Sequence, residues 1–132
     1  MLGDLIYEAT SKIAGIRMLD ENGTSERTFQ QEGTIFGIEC HTTLTLVGKF
    51  ELNGVQYLEG HGILLTKDGD TATFTVSGIN IPKGLPPLAI NRGATFFRTQ
   101  SQKLMSLNRV VCIYEAEVNE DSSYKVKAWE WK

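Results

Sequence analysis

Hydrophobic and polar residues alternate along the segment from Ile38 to Leu52. Its even positions carry mainly apolar or small side chains, and its odd positions carry mainly polar ones, with Val47 as the apolar exception. A period of two residues is typical of a β-strand with one buried face and one solvated face. The pattern therefore predicts a long strand here, with its even positions facing a core.

The same period recurs along most of the chain and predicts eight strands. Turn-forming residues separate most of them, and Asn53-Gly54 is the strongest hairpin signal, so consecutive strands are expected to pair antiparallel. The segment Ser101–Leu107 predicts a single helical turn over one end of the sheet. The predicted strands are Asp4–Leu19, Glu26–Phe36, Ile38–Leu52, Val55–Thr66, Thr71–Ile81, Leu88–Thr99, Leu107–Val118 and Ser123–Trp131.

A sheet of eight consecutive strands has two exposed edges unless it closes on itself. The last segment, Tyr124 to Trp131, is amphipathic and can pair with the first. We therefore expect an all-β fold, an eight-stranded antiparallel up-and-down (meander) barrel, as a single domain over residues 1–132 with little or no helix. The proline-rich stretch from Ile81 to Pro87 lacks three backbone donors and predicts a stiff loop at the rim.

Composition narrows the classes of partner. The 132 residues carry a net charge of −3 and contain no run of Lys or Arg, which argues against binding to nucleic acid or to an anionic membrane. No apolar segment approaches the roughly 20 residues that span a bilayer, so a cytoplasmic location is expected. Cys40 and Cys112 lie on apolar faces and are expected to be buried, reduced thiols. No spacing of Cys or His predicts a metal site, and no motif predicts a cofactor.

The segment Val55–Thr66 has apolar residues on both faces, so its orientation stays open. If the odd positions point inward, Glu59 and His61 are neighbours about 7 Å apart inside the barrel. A carboxylate and an imidazole in a dry cavity are candidate catalytic groups for acid/base chemistry. If the face with Gly60 and Gly62 points inward instead, both groups are solvated surface residues.

Five residues are candidate ligand contacts. An inward Arg92 would bind a carboxylate through two parallel hydrogen bonds, and an outward one would form an ion pair with a strand glutamate. Tyr57 shares the face of Glu59. The remaining candidates, on faces predicted to point inward, are Cys40, Phe74 and Tyr114.

The run from Tyr57 to Leu65 resembles the Glu-Gly-x-Gly strand of allene oxide cyclase-like barrels. Asn91-Arg92-Gly93 and the Lys-x-Trp-Glu-Trp ending resemble small uncharacterised prokaryotic proteins. The resemblance implies an eight-stranded barrel with a mostly apolar cavity, in a group whose plant members cyclise a fatty-acid epoxide and often form oligomers. It does not carry that reaction over, because only the Glu59 strand matches among the pocket residues.

Three functions follow from these observations. The leading one is a barrel that holds a small apolar or amphipathic ligand, since eight strands enclose either packed side chains or one modest molecule. The alternatives are a cyclase- or isomerase-type enzyme that uses Glu59 and His61, and a structural homo-oligomer assembled through the outward apolar residues Val47, Val111 and Ile113.

Overall fold

A computed structural model describes residues 2–50, 53–121 and 123–132. One short 3₁₀ helix, η1 (Met105–Arg109), lies between the sixth and seventh strands. In this described part of the chain, no helix has the length and apolar character needed to cross a membrane. The strands are β1 (Leu2–Met18), β2 (Ser25–Ile35), β3 (Ile38–Phe50), β4 (Gln56–Thr66), β5 (Thr71–Pro82), β6 (Ala89–Arg98), β7 (Cys112–Val118) and β8 (Tyr124–Trp131).

The eight strands form a closed barrel in sequence order, with every pairing antiparallel. The seam between β1 and β8 runs from the Leu2–Trp131 pair to the Ser11–Tyr124 pair. The predicted fold class and the predicted pairing of the first and last strands are therefore confirmed. Closure pairs the two sheet edges with each other, which removes the exposed edges of an open sheet.

One end of the barrel, here called the closed end, is covered by the connection between β6 and β7. Leu104 and Leu107 from this connection are fully buried and belong to the same hydrophobic cluster as Ile35 and Cys112. The side chain of Asn108 donates to the carbonyl of Thr99 and accepts from its backbone N–H, at 2.9 and 2.8 Å. These two bonds hold the connection against the end of β6.

The connection explains two differences from the predicted boundaries. The predicted strand from Leu107 begins only at Cys112, because Leu107 lies in η1 and fills the closed end. The helical turn predicted over Ser101–Leu107 is displaced toward the C-terminus and forms η1. The burial of Leu104 and Leu107, rather than the alternation typical of a strand, accounts for the 3₁₀ helix in this connection.

The opposite end, here called the mouth, carries the turns after β1, β3, β5 and β7. The predicted stiff loop lies there, although Pro82 still pairs with Ala89 as the last residue of β5. The backbone N–H of Lys83 donates to the carbonyl of Leu88 at 2.8 Å and closes the loop. The mouth and the closed end thus differ in how they are covered.

Candidate ligand-binding lumen

Between the two ends the inward side chains leave a void of about 70 Å³, here called the lumen. Phe74 and Tyr114, two of the predicted ligand contacts, line it. Their role as ligand contacts stays a prediction. Most of the lining is apolar and includes Phe29, Leu44, Leu46, Leu64, Phe74, Val76 and Phe97.

Two tyrosine hydroxyls lie among the polar groups of the lumen. Tyr7 donates to Oε1 of Gln31 at 2.6 Å and lies 2.9 Å from the hydroxyl of Thr42. Tyr114 donates to Oδ1 of Asn91 at 2.7 Å. Burial raises the pKa of both phenols far above the usual value. Both are therefore neutral groups with their protons already engaged, which suits a fixed wall better than a proton-transfer site.

Ser11 adds a polar atom that is still available to a ligand. Its side chain is 1% exposed and lines the lumen. Its hydroxyl has no hydrogen-bond partner within the described residues. Buried polar groups are usually paired, so this oxygen is a candidate contact for a polar atom of a guest molecule.

The glycine face of β4 points inward, which settles the orientation that the sequence left open. Gln56, Leu58 and Leu64 on that face are buried. A Cβ atom at Gly62 would lie 2.6 Å from Cζ of Phe74, so the aromatic ring occupies the space that a side chain would need. Only glycine is compatible with this packing, and the other face of the strand must turn outward.

The catalytic pair proposed from the sequence therefore does not lie in the barrel. Glu59 and His61 are exposed on the outer face, and Tyr57 beside them is 56% exposed. The reading that placed these three residues inside is wrong, because it gave the inner face to the larger side chains instead of the glycines. Acid/base chemistry in the lumen cannot use these groups.

The other two candidate contacts also lie away from the lumen. Arg92 is on the outer face, where its Nε donates to Glu115 on β7 at 3.1 Å. This is the alternative ion pair that the sequence allowed, and the inward alternative is wrong. Cys40 faces inward but lies at the closed-end portion of β3, beyond the lumen lining.

Both thiols are buried and unpaired with each other, in agreement with the predicted reduced cysteines. Burial raises the pKa of Cys40 to about 11, with a smaller contribution from the charge of Glu32. Burial likewise raises the pKa of Cys112 to about 12. Thiols with such values are poor nucleophiles near neutral pH, so neither is a candidate catalytic group.

Sequence reasoning missed the polar residues of the mouth. A second void of about 20 Å³ lies there, lined in part by Arg27, Gln56 and Asn80. Arg27 is an even number of residues from the buried Phe29 and Ile35 in β2, so the three share one face of the strand. This alternation could have predicted from the sequence that Arg27 points inward. Phe29, Leu46, Asn91 and Tyr124 line both voids, so the second void is adjacent to the lumen.

The outer surface carries the residues that suggested assembly. Val47, Val111 and Ile113 are half-buried, while Tyr57 and Phe96 expose about half of their surface. Homo-oligomer formation stays a prediction, which sedimentation velocity at several protein concentrations would test.

Fold and lumen together define the class: a small closed β-barrel with a narrow, mostly apolar interior. No protein-family model matches the chain, and a search of curated proteins finds no significant match. Solved structures do share the fold. A conserved protein of unknown function from Rhodopseudomonas palustris superposes with a TM-score of 0.81 at 14% sequence identity, over 98% of this chain and 97% of that one.

Two further structures give the same result. A protein with unknown function from Clostridium acetobutylicum superposes with a TM-score of 0.79 at 11% identity, over 96% of both chains. A beta-barrel like protein from Acinetobacter baumannii gives 0.81 at 13% identity, over 98% of this chain and 94% of that one. Such low identities establish the eight-stranded barrel alone, and function has to be argued from the site.

Proposed function

We propose that the protein binds a small apolar or amphipathic molecule in its lumen. The observation that carries the proposal is the void of about 70 Å³, which is lined by aliphatic and aromatic side chains and adjacent to a second void at the mouth. Concave, mostly apolar pockets with a few placed polar groups are the usual form of small-molecule sites. The lumen provides both features, since Ser11 and Asn91 contribute polar atoms to an apolar wall.

The volume of the lumen limits the size of the guest. An apolar cavity of about 150 Å³ accommodates benzene, and the lumen has roughly half that volume. A guest therefore places only a short alkyl segment in the lumen, and the remainder of a longer chain lies toward the mouth. Most of its binding free energy would come from removal of apolar surface from water.

A titration with 1-hexanol, followed by two-dimensional NMR, tests this proposal. We expect resonances of lumen-lining residues such as Val76 and Phe97 to shift in a saturable manner. Ala116→Leu places extra carbons in the lumen and should abolish the shifts. Ala94→Leu adds the same carbons on the outer face of β6 and should leave them intact. Shifts confined to surface residues, or insensitivity to Ala116→Leu, would overturn the proposal.

We further propose that the protein is related to the allene oxide cyclase-like barrels. It is supported by the residues from Tyr57 to Leu65 and by the eight-stranded closure with an apolar interior. It does not extend to acid/base catalysis by Glu59 and His61, which face outward. We also propose a cytoplasmic location. It is supported by the reduced state expected of Cys40 and Cys112.

A further inference from the structure

Two buried nitrogen donors at the mouth have no hydrogen-bond partner among the described residues: Nε of Arg27 and Nε2 of Gln56. Gln56 is 4% exposed, and both side chains line the void at the mouth. Nearly all buried polar groups in proteins are paired. Two orphan donors in one small space therefore indicate an acceptor that the chain itself does not provide.

Register places the two donors close together. A Cβ atom at Gly48 would lie 2.5 Å from Nε2 of Gln56, so the amide lies directly over Gly48 on the inner face of β3. Gly48 pairs with Ser25, and Arg27 is the next inward residue of β2. The guanidinium on β2 and the amide on β4 therefore line the same small void from the two sides of β3, at one end of the barrel.

Within the described part of the chain, Arg27 takes part in none of the salt bridges. Among the described residues that line the lumen and the void of about 20 Å³ beside it, Arg27 is the one with a charged side chain, and none is a carboxylate. Arg92, in contrast, has Glu115 as its partner on the outer face. Arg27 is only part-buried as a residue, but its Nε–H is buried, and a ligand with an anionic acceptor would both pair this donor and balance the charge.

We propose that Arg27 and Gln56 bind the carboxylate of an amphipathic monocarboxylic acid whose alkyl chain lies in the lumen. This inference rests on the proposed function and names the chemical class of the guest. A carboxylate is planar, accepts from the guanidinium and the amide at once, and brings one negative charge for one cation. A phosphate monoester would bring close to two charges to the same single arginine.

The adjacency of the two voids gives the acid its orientation. Phe29, Leu46 and Tyr124 line both, so an alkyl chain can pass from the mouth into the apolar interior. The closed end is filled by Leu104 and Leu107, which limits the depth that the chain can reach. The carboxylate therefore lies at the mouth and the methyl end points toward η1.

Three probes of equal chain length test the inference on the intact protein: hexanoate, 1-hexanol and 1-hexylamine, each titrated by NMR at pH 7. We expect hexanoate to bind at least about tenfold more tightly than 1-hexanol, which is the scale of a hydrogen bond to a charged group. The ammonium of hexylamine faces Arg27 and should bind more weakly than the alcohol. No variant is needed for this comparison, so it does not depend on a mutant folding.

Variants then locate the effect. Arg27→Met retains most of the aliphatic stem and removes the charge, so hexanoate affinity should fall about tenfold while 1-hexanol affinity changes less than about twofold. Arg27→Lys retains the charge and should recover part of the loss. Arg98→Met, on the outer face of β6, is the matched control and should leave both affinities unchanged.

The outcomes separate this inference from the proposed function. Equal binding of hexanoate and 1-hexanol, or a loss of hexanoate binding with Arg98→Met as large as with Arg27→Met, would overturn the carboxylate assignment and leave a lumen that binds alkyl chains. Absence of binding by all three probes would overturn the proposed function itself. Preference for hexylamine would likewise overturn the carboxylate assignment.

Discussion

The hydroxyl of Tyr114 donates a 2.7 Å hydrogen bond to Oδ1 of Asn91 on the neighbouring strand. The ring reaches this position because it crosses two glycines. A Cβ atom at Gly93 would lie 2.8 Å from Cε2 of Tyr114, and one at Gly78 would meet the hydroxyl itself. The two glycines therefore provide the space in which one wall of the lumen is built.

Gly78→Ala should destabilise the barrel by about 1–3 kcal/mol, the usual cost of overpacking a core. Its new methyl group would also lie 2.6 Å from the carbonyl oxygen of Arg92, and backbone cannot move away as easily as a side chain. Urea denaturation gives the free energy of unfolding. Gly15→Ala is the control, since nothing lies within 4 Å of its Cβ position. This control should leave the free energy of unfolding unchanged or raise it by up to about 1 kcal/mol.

Tyr114→Phe should cost about 1–3 kcal/mol, because it leaves the amide oxygen of Asn91 buried without its donor. Asn91 is 7% exposed, so water does not easily replace the phenol. Tyr57→Phe removes a hydroxyl from the outer surface and should change stability by less than about 0.5 kcal/mol. Equal effects of the two substitutions would show that the Tyr114–Asn91 bond contributes nothing.

The free energy of unfolding should fall as pH rises above 9.0, which is the ordinary pKa of a cysteine thiol in the unfolded chain. Burial raises the pKa of Cys40 to about 11 and that of Cys112 to about 12, so between pH 9 and 10 the unfolded chain loses thiol protons that the folded chain keeps. The unfolded state then binds fewer protons, and the free energy of unfolding decreases with pH. Each thiol contributes up to about 1.4 kcal/mol per pH unit.

Urea denaturation between pH 7 and 10 measures this slope. A variant with both Cys40→Ala and Cys112→Ala should be less stable at pH 7 and should show a flatter decline above pH 9. The window ends at pH 10 because Tyr7 and Tyr114, whose pKa values are also raised, add to the decline above it. An unchanged slope in the double variant would rule out the thiols as its source.

Leu107→Ala should destabilise the protein by about 2–5 kcal/mol, since it opens a cavity in a fully buried position at the closed end. Met105 lies two residues away in the same helix and is 47% exposed. Met105→Ala should therefore change stability by less than about 0.5 kcal/mol. Similar midpoints for both variants in urea would mean that η1 does not contribute to the core.

The barrel itself was predictable from sequence because alternation is a local signal. The segment from Ile38 shows this: its even positions Cys40, Thr42, Leu44 and Leu46 are all buried in the structure. Closure could also be expected, since an amphipathic last strand has to pair with something. The seam between β1 and β8 bears this out.

The candidate site was less predictable, because its orientation depends on contacts between distant strands. In β4 both faces contain apolar residues, and hydropathy favours the larger ones as core. The deciding fact is that Phe74 of β5 lies over Gly62, which no pattern within β4 reveals. Arg27 was missed for a related reason: a charged residue is expected outside, although its spacing from Phe29 placed it inside.

The seam between β1 and β8 has a consequence for biosynthesis. A ribosome makes β1 before the other seven strands, yet the partner strand of β1 on that side, which includes Trp129, is the last of the eight. Until then β1 offers one unpaired row of backbone groups to whatever it meets. Closure of the barrel therefore has to wait until β8 has been made, and chaperones have their greatest opportunity to act on β1 in that interval.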